Sequence, residues 1–140
     1  MPDEKFDTNQ DRGNGETGGN GRRRVLIVDD NVDAAVPLKE ALEDVGHQVM
    51  LAIDPVQALE QARTFVPEVC ILDIQLPIMD GYELGLHLRS LSNASHSTLI
   101  ALTGYAQEHD QARSRAAGFA AHLVKPVNLD QLISMIGALP

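Results

Sequence analysis

The sequence predicts an α/β fold, a doubly wound five-stranded parallel sheet built from five successive strand–helix units. Three observations carry that prediction. The runs Val25-Leu26-Ile27-Val28, Val69-Cys70-Ile71-Leu72 and Leu99-Ile100-Ala101-Leu102 lack the polar alternation of a strand with one wet face, so they read as strands buried on both sides. Segments with helical spacing and capping residues separate them, which makes each connection a crossover rather than a hairpin. Each run, and the further run His122-Leu123-Val124, also ends in a polar residue, with three complementary kinds among them: the carboxylates of Asp29-Asp30 and Asp73, the hydroxyl of Thr103 and the ammonium of Lys125.

The elements follow in order. After the first strand, Asp30 or Asn31 caps a helix reaching about Val45, with Gly46 as its stop and Val32, Ala35, Leu38, Leu42 and Val45 as its apolar stripe. Pro37 lies inside that helix, where it removes a hydrogen bond to Asp33 and should kink the axis. His47 to Ile53 forms the second strand, and Asp54-Pro55 starts a helix through about Phe65. Pro67 leads into the third strand, which ends at Asp73. A loop from Ile74 to Asp80 precedes a helix from Gly81 to about Leu91. Ser92 to Ser97 is a polar link to the fourth strand. Gln107 to Ala117 forms the next helix, stopped by Gly118, and a fifth strand covers about Ala121 to Val124. Asn128 caps the last helix, through Ile136. Right-handed crossovers then place helices on both faces of a parallel sheet.

Residues 22–140 make one domain, and residues 1–21 a disordered tail or linker. That segment holds Phe6 and no aliphatic beyond Met1, so it buries too little surface to offset its ordering entropy. Its Gly13-Asn14-Gly15-Glu16-Thr17-Gly18 matches the G-x-G-x-x-G pattern of dinucleotide sites, but no strand precedes it, and the pattern reads as linker. The net charge of −9 disfavours nucleic-acid binding, which needs a basic field, and Arg22-Arg23-Arg24 is only a solvated lead-in to the first strand. No apolar stretch approaches the ~20 residues of a membrane span, so no membrane insertion is expected. Cys70, the one cysteine, lies within a strand and reads as a buried core thiol. With no apolar signal region at the N-terminus, a cytoplasmic setting is expected.

The strand ends carry the chemistry. In open parallel sheets, ligands bind outside the carboxyl ends of the strands. Three carboxylates, a hydroxyl and an ammonium therefore meet at one rim. Asp29, Asp30 and Asp73 form a hard oxygen set suited to Mg²⁺, which takes a few carboxylates plus water and substrate oxygens. A carboxylate directly after four apolar residues, as at Asp73, is costly unless a cation or hydrogen bonds compensate it. Thr103 and Lys125 can hold two oxygens of a phosphoryl group, and Asp73 is the natural nucleophile, a carboxylate able to form an acyl phosphate.

The motifs Val25-Leu26-Ile27-Val28-Asp29-Asp30-Asn31, Leu72-Asp73-Ile74-Gln75-Leu76-Pro77-Ile78-Met79-Asp80-Gly81, Ala101-Leu102-Thr103-Gly104-Tyr105 and Leu123-Val124-Lys125-Pro126 together resemble those of response-regulator receiver domains of two-component signalling. The resemblance covers residues 22 to about 138 and implies the flavodoxin-like receiver fold. It implies that Asp73 takes a phosphoryl group from a phosphohistidine on a histidine kinase or histidine phosphotransfer protein and signals through a downstream protein partner. It implies Mg²⁺ bound directly by Asp30, largely through water by Asp29, and also by Asp73 and the main-chain carbonyl of Gln75. It implies Thr103 and Lys125 on the phosphoryl oxygens, a cis Lys125-Pro126 bond, and side chains of Gln75 and Tyr105 that tune dephosphorylation. As a signalling domain, the protein would not be an enzyme beyond self-phosphorylation and autodephosphorylation.

One position departs from the family pattern. His122 stands where receivers commonly carry Tyr or Phe, and reads either as an exposed strand-end side chain or as a titratable member of a switch. His47, His87, His96 and His109 show no metal-ligand spacing. The helix from Gln107 to Ala117 has no large aliphatic side chain, so it should be the loosest element, serving either as a switch or as an ordinary surface helix. Two rivals remain. A phosphatase of the haloacid-dehalogenase type would want a carboxylate two residues after Asp73, where Gln75 stands. A pseudo-receiver that binds partners without phosphorylation would not need Asp30, Asp73, Thr103 and Lys125 together.

Overall fold

The structure, a computed structural model, describes residues 21–104 and 110–140. The expected tail, apart from Gly21, and Tyr105 lie outside the described residues, as do Gln107, Glu108 and His109 of the expected fourth helix. Two units are described separately, residues 23–127 and the C-terminal residues 128–140.

In the first unit, five parallel strands form one sheet: β1 (Arg24–Val28), β2 (Gln48–Ala52), β3 (Val69–Asp73), β4 (Thr98–Thr103) and β5 (Phe119–Val124). Their spatial order is β2-β1-β3-β4-β5. Four helices connect them: α1 (Val32–Asp44), α2 (Pro55–Phe65), α3 (Gly81–Ser90) and α4 (Gln111–Ala117). The chain steps one way from β1 to β2 and the other way from there onward. Right-handed crossovers therefore put α1 on one face and α2, α3 and α4 on the other.

The three aliphatic strands β1, β3 and β4 are buried as their sequences predict, whereas β2 and β5 are mostly half-buried and Val124, in the run His122-Leu123-Val124, is exposed. Val25 to Val28 and Val69 to Leu72 have no exposed surface. Alternate side chains Leu26, Val28, Cys70, Leu72 and Leu99 pack with Ala58 and Ala62 of α2 and Leu84 and Leu88 of α3 in one core cluster. Each helix starts at a cap: the side chains of Asn31, Asp54, Asp80 and Asp110 accept from Ala34, Gln57, Glu83 and Arg113 N–H. In α1, Ala35, Leu38 and Leu42 are buried, whereas the two ends of the expected stripe, Val32 and Val45, face solvent. Pro37 is accommodated within the continuous helix.

Several boundaries differ from expectation. The described part of α4 begins at Gln111 rather than Gln107, because Asp110 is extended and caps the helix. β5 begins at Phe119 rather than Ala121, since Gly118 takes a left-handed φ of 77° and turns the chain straight into the strand. β2 covers Gln48–Ala52, one residue shorter at each end than the run His47 to Ile53.

In the second unit, Asn128 caps α5 (Leu129–Gly137) by accepting from Gln131 N–H. Its buried Leu132 and Ile136 stand four residues apart on one face.

Candidate functional site

The centre of the sheet creates the site. β1 and β3 are neighbours, yet the chain leaves β1 toward β2 and β3 toward β4, so a crevice opens at their carboxyl ends. Asp29 directly follows β1 and Asp73 ends β3. The ladder continues into the loops, where Asp29 N–H donates to the Ala52 carbonyl at 3.0 Å and Ile74 N–H to the Leu102 carbonyl at 3.0 Å. Both carboxylates are thus held on sheet backbone rather than on a free loop. Asp29 is wholly buried and Asp73 is 5% exposed, while Asp30 faces solvent.

Lys125 reaches in from the end of β5. Its Nζ lies 3.0 Å from Asp29 Oδ2 and 3.2 Å from Asp73 Oδ2. The Lys125 N–H donates to the Thr103 carbonyl at 2.8 Å, and the Lys125-Pro126 bond is cis, as the resemblance implies. The other oxygens are held by backbone: Asp29 Oδ1 accepts from Asn31 N–H and Asp73 Oδ1 from Gln75 N–H. Burial raises the Asp73 pKa above its ordinary 3.8 and the Asp29 charge adds to this, against the Gln75 N–H and Lys125. Burial pulls Lys125 down, but its two carboxylates outweigh that and hold it above 10.5.

The carboxylates of Asp29, Asp30 and Asp73 offer oxygens within 4.8 Å of one another. Asp29 Oδ2 is buried with the Lys125 ammonium against it, so a cation here would share this oxygen with that ammonium. An all-carboxylate set beside exposed Asp30 fits Mg²⁺, which keeps part of its water shell. Thr103 is buried on the adjoining strand, and its hydroxyl donates to the Leu123 carbonyl at 3.5 Å. The Gln75 side chain is exposed beside Asp73.

His122 is not an exposed strand-end residue. It is half-buried, with Nε2 3.2 Å from Ser114 Oγ of α4 and its ring stacked on Phe119 at 6.1 Å. Cys70 is a buried free thiol, pushed up to about 12 chiefly by burial, which makes it inert.

Two connections escape sequence reasoning. Gly81 closes the loop after Asp73 by donating to the Ile74 carbonyl at 2.9 Å, so tightly that a Cβ there would lie 2.5 Å from the Asp73 carbonyl oxygen. Arg113 of α4 forms an ion pair with Asp80, Nη1 to Oδ2 at 2.7 Å and Nη2 to Oδ1 at 2.8 Å. A capping-type residue before Gly81 is a legible signal for Asp80, but no spacing rule links residue 80 to residue 113.

A five-stranded parallel sheet with an acidic switch-point crevice and one lysine defines the class, and comparison with known proteins gives the family. The model of the response regulator receiver domain matches residues 25–137, and the chain belongs to that family. It is 30% identical over 114 residues to the polar-differentiation response regulator DivK of Brucella anthropi, covering 81% of this chain and 93% of that protein. A CheY-like receiver domain from Methanospirillum hungatei superposes with a TM-score of 0.75 at 32% identity, covering 83% of this chain and 91% of the other. The receiver domain of sensor histidine kinase PA1611 from Pseudomonas aeruginosa, determined with magnesium in its active-site cleft, superposes at 0.73 with 28% identity, covering 83% and 95%. The protein is thus a receiver domain of two-component signalling with the flavodoxin-like fold.

Proposed function

We propose that Asp73 is the phosphoacceptor of this receiver. A carboxylate oxygen of Asp73 attacks the phosphorus of a phosphohistidine on a histidine kinase or phosphotransfer protein. The P–N bond breaks, its electron pair stays on the imidazole nitrogen, and an acyl phosphate forms on Asp73. The observation that carries this reading is the shared ammonium. Lys125 lies within 3.2 Å of Asp73 and 3.0 Å of Asp29, so it already stands where the transferred oxygens would bring negative charge. The Gln75 N–H orients the carboxylate through its other oxygen. The Thr103 hydroxyl takes a phosphoryl oxygen on leaving Leu123.

Asp29, Asp30, Asp73 and the main-chain carbonyl of Gln75 would hold Mg²⁺. When bound, the ion supplies neutralisation of the phosphoryl oxygens and of the three carboxylates. The magnesium recorded in the PA1611 receiver supports this assignment. The phosphorylated protein signals through a downstream protein partner in the cytoplasm, and loses the group slowly by hydrolysis beside Gln75. Among the described residues, no helix is long and apolar enough to cross a membrane.

Incubation with acetyl phosphate and Mg²⁺, read by intact mass, tests the reading. A base-labile gain of about 80 Da, the mass of a phosphoryl group, is expected on the native chain and absent from Asp73→Asn. An unchanged mass with this donor and with phosphorylated kinases, or an adduct that persists in Asp73→Asn, overturns it. Rapid release of phosphate from many monoesters would favour a phosphatase instead.

A further inference from the structure

Ile78 stands where neither its backbone nor its side chain is favoured. Its φ is 72°, and Met79 N–H donates across it to the Pro77 carbonyl at 2.7 Å. A bond from i+2 back to i around a positive φ is the strained form of γ-turn. A β-branched residue suits that centre least, whereas Gly, Asn or Asp would sit there with little strain. The Ile78 side chain is also 92% exposed, so burial offers no compensation. Val66, the other non-glycine residue at positive φ among the described residues, ends α2, where a left-handed residue is routine, and it is better covered.

The neighbours explain the turn but not the isoleucine. Leu76 is buried in the core and Met79 packs against the same cluster, so the chain must bend sharply between them. Exposed Pro77 fixes the approach to that bend. The bend asks for a small residue at its tip and finds a large apolar one. Two unfavourable features at one position, backbone and hydration, point to a role outside the fold. The same anchors hold the tip in place, and Gly81 N–H closes the loop on the Ile74 carbonyl at 2.9 Å. A partner can therefore cover Ile78 with little loss of loop freedom.

Position selects the partner. The loop starts directly after Asp73, and its Gln75 N–H holds the Asp73 carboxylate at 3.0 Å. A protein that delivers a phosphoryl group to Asp73 from an imidazole must bring its own surface against this loop. A small donor such as acetyl phosphate has no surface to bring. We propose that Ile78 is a recognition residue for the protein phosphodonor, an apolar knob that seats in an apolar recess beside the donor's phosphohistidine. It touches no reacting atom, so it acts on recognition and leaves the chemistry at Asp73 unchanged. This rests on the reading of Asp73 as phosphoacceptor.

Three variants of the full chain separate recognition from folding. Ile78→Asn and Ile78→Gly remove the apolar side chain and tolerate positive φ, while Ile78→Leu keeps the apolar surface without the β-branch. Each is labelled with acetyl phosphate and Mg²⁺, and separately with the phosphorylated histidine phosphotransfer domain that, from a panel, labels the native chain fastest. Acetyl phosphate labelling should stay within about twofold of native in all three. With the protein donor, the half-saturating concentration should rise about tenfold in Ile78→Asn and Ile78→Gly at an unchanged maximal rate, as expected for losing one buried apolar side chain. Ile78→Leu should stay within about twofold. The thermal midpoint of Ile78→Asn should rise by a few degrees as strain is released. An unchanged half-saturation in Ile78→Asn, an equal slowing with acetyl phosphate, or a lowered midpoint each overturns the knob. So does labelling of the native chain by acetyl phosphate with none from any protein donor. If acetyl phosphate leaves the native chain unlabelled, or labels Asp73→Asn as well, the acceptor reading fails and the knob falls with it.

Discussion

Asp73 and Lys125 are partners in one cluster, yet their contributions to stability run in opposite directions with pH. Asp73 is shifted above 3.8, so the folded chain binds its proton more readily than the unfolded chain does. Between 3.8 and the raised value the native state holds more protons, and stability falls as pH rises through that window. Lys125 is shifted above 10.5, so its contribution is fully present below 10.5 and is lost only as pH climbs through the folded value. At neutral pH, then, the Lys125 contribution is intact while the ionised Asp73 is a net liability beside Asp29. Asp73→Asn should raise the thermal midpoint at neutral pH, and the gain should disappear on acidification below the ordinary aspartate range. Thermal melts of both chains across the acid range check this, and a gain that persists unchanged in acid would mean that it does not come from the Asp73 charge. A receiver that keeps this liability has retained a buried charged carboxylate at the expense of stability.

The loop from β3 into α3 shows how an element's shape serves the site. At Gly81 an added methyl would lie 2.5 Å from the Asp73 carbonyl oxygen and 2.9 Å from Ile74 Cα, and backbone on both sides cannot yield cheaply. Gly81→Ala should cost about 2–4 kcal/mol by denaturant unfolding and abolish the acetyl-phosphate adduct, because relief requires moving the Asp73 strand end. Gly85→Ala makes the useful contrast. Its methyl would meet Phe119 Cε1 at 2.8 Å, a side chain that can turn, so that variant should retain the adduct. The strands, the caps and the polar residues at four strand ends are legible in the sequence because they rest on local rules: aliphatic runs, capping chemistry and a polar residue after an apolar run. The close approach at Gly81 and the pairing of Asp80 with Arg113 are not legible, since both depend on how separate elements pack. α4 illustrates the same limit. Its lack of aliphatic side chains is plain from the sequence, but the polar attachment that replaces them appears only in three dimensions. His122 is similar: the ring stacks on Phe119 and meets Ser114, partners that depend on where α4 lies against β5.

For the molecule as a whole, a net charge of −9 means that any cation reduces self-repulsion, so a gain in stability with salt does not by itself reveal a site. The strand order β2-β1-β3-β4-β5 concentrates part of that charge at one crevice, where Asp29, Asp30 and Asp73 bring oxygens within 4.8 Å. One ammonium cannot balance three carboxylates, even though Lys125 lies within 3.2 Å of both Asp29 and Asp73. Magnesium should therefore raise the thermal midpoint more than sodium chloride at equal ionic strength. A ligand that binds only the folded state stabilises it by about 2.7 kcal/mol at a concentration ~100-fold above its Kd. Screening acts on the whole surface, whereas site binding requires this cluster. Asp30→Asn removes an exposed carboxylate with little effect on packing, so it should keep the response to sodium chloride and lose most of the excess given by magnesium. A chelator should return the native chain to the sodium chloride curve. An excess that survives in both Asp30→Asn and Asp73→Asn would place the magnesium effect on the general surface charge and remove the metal from the crevice.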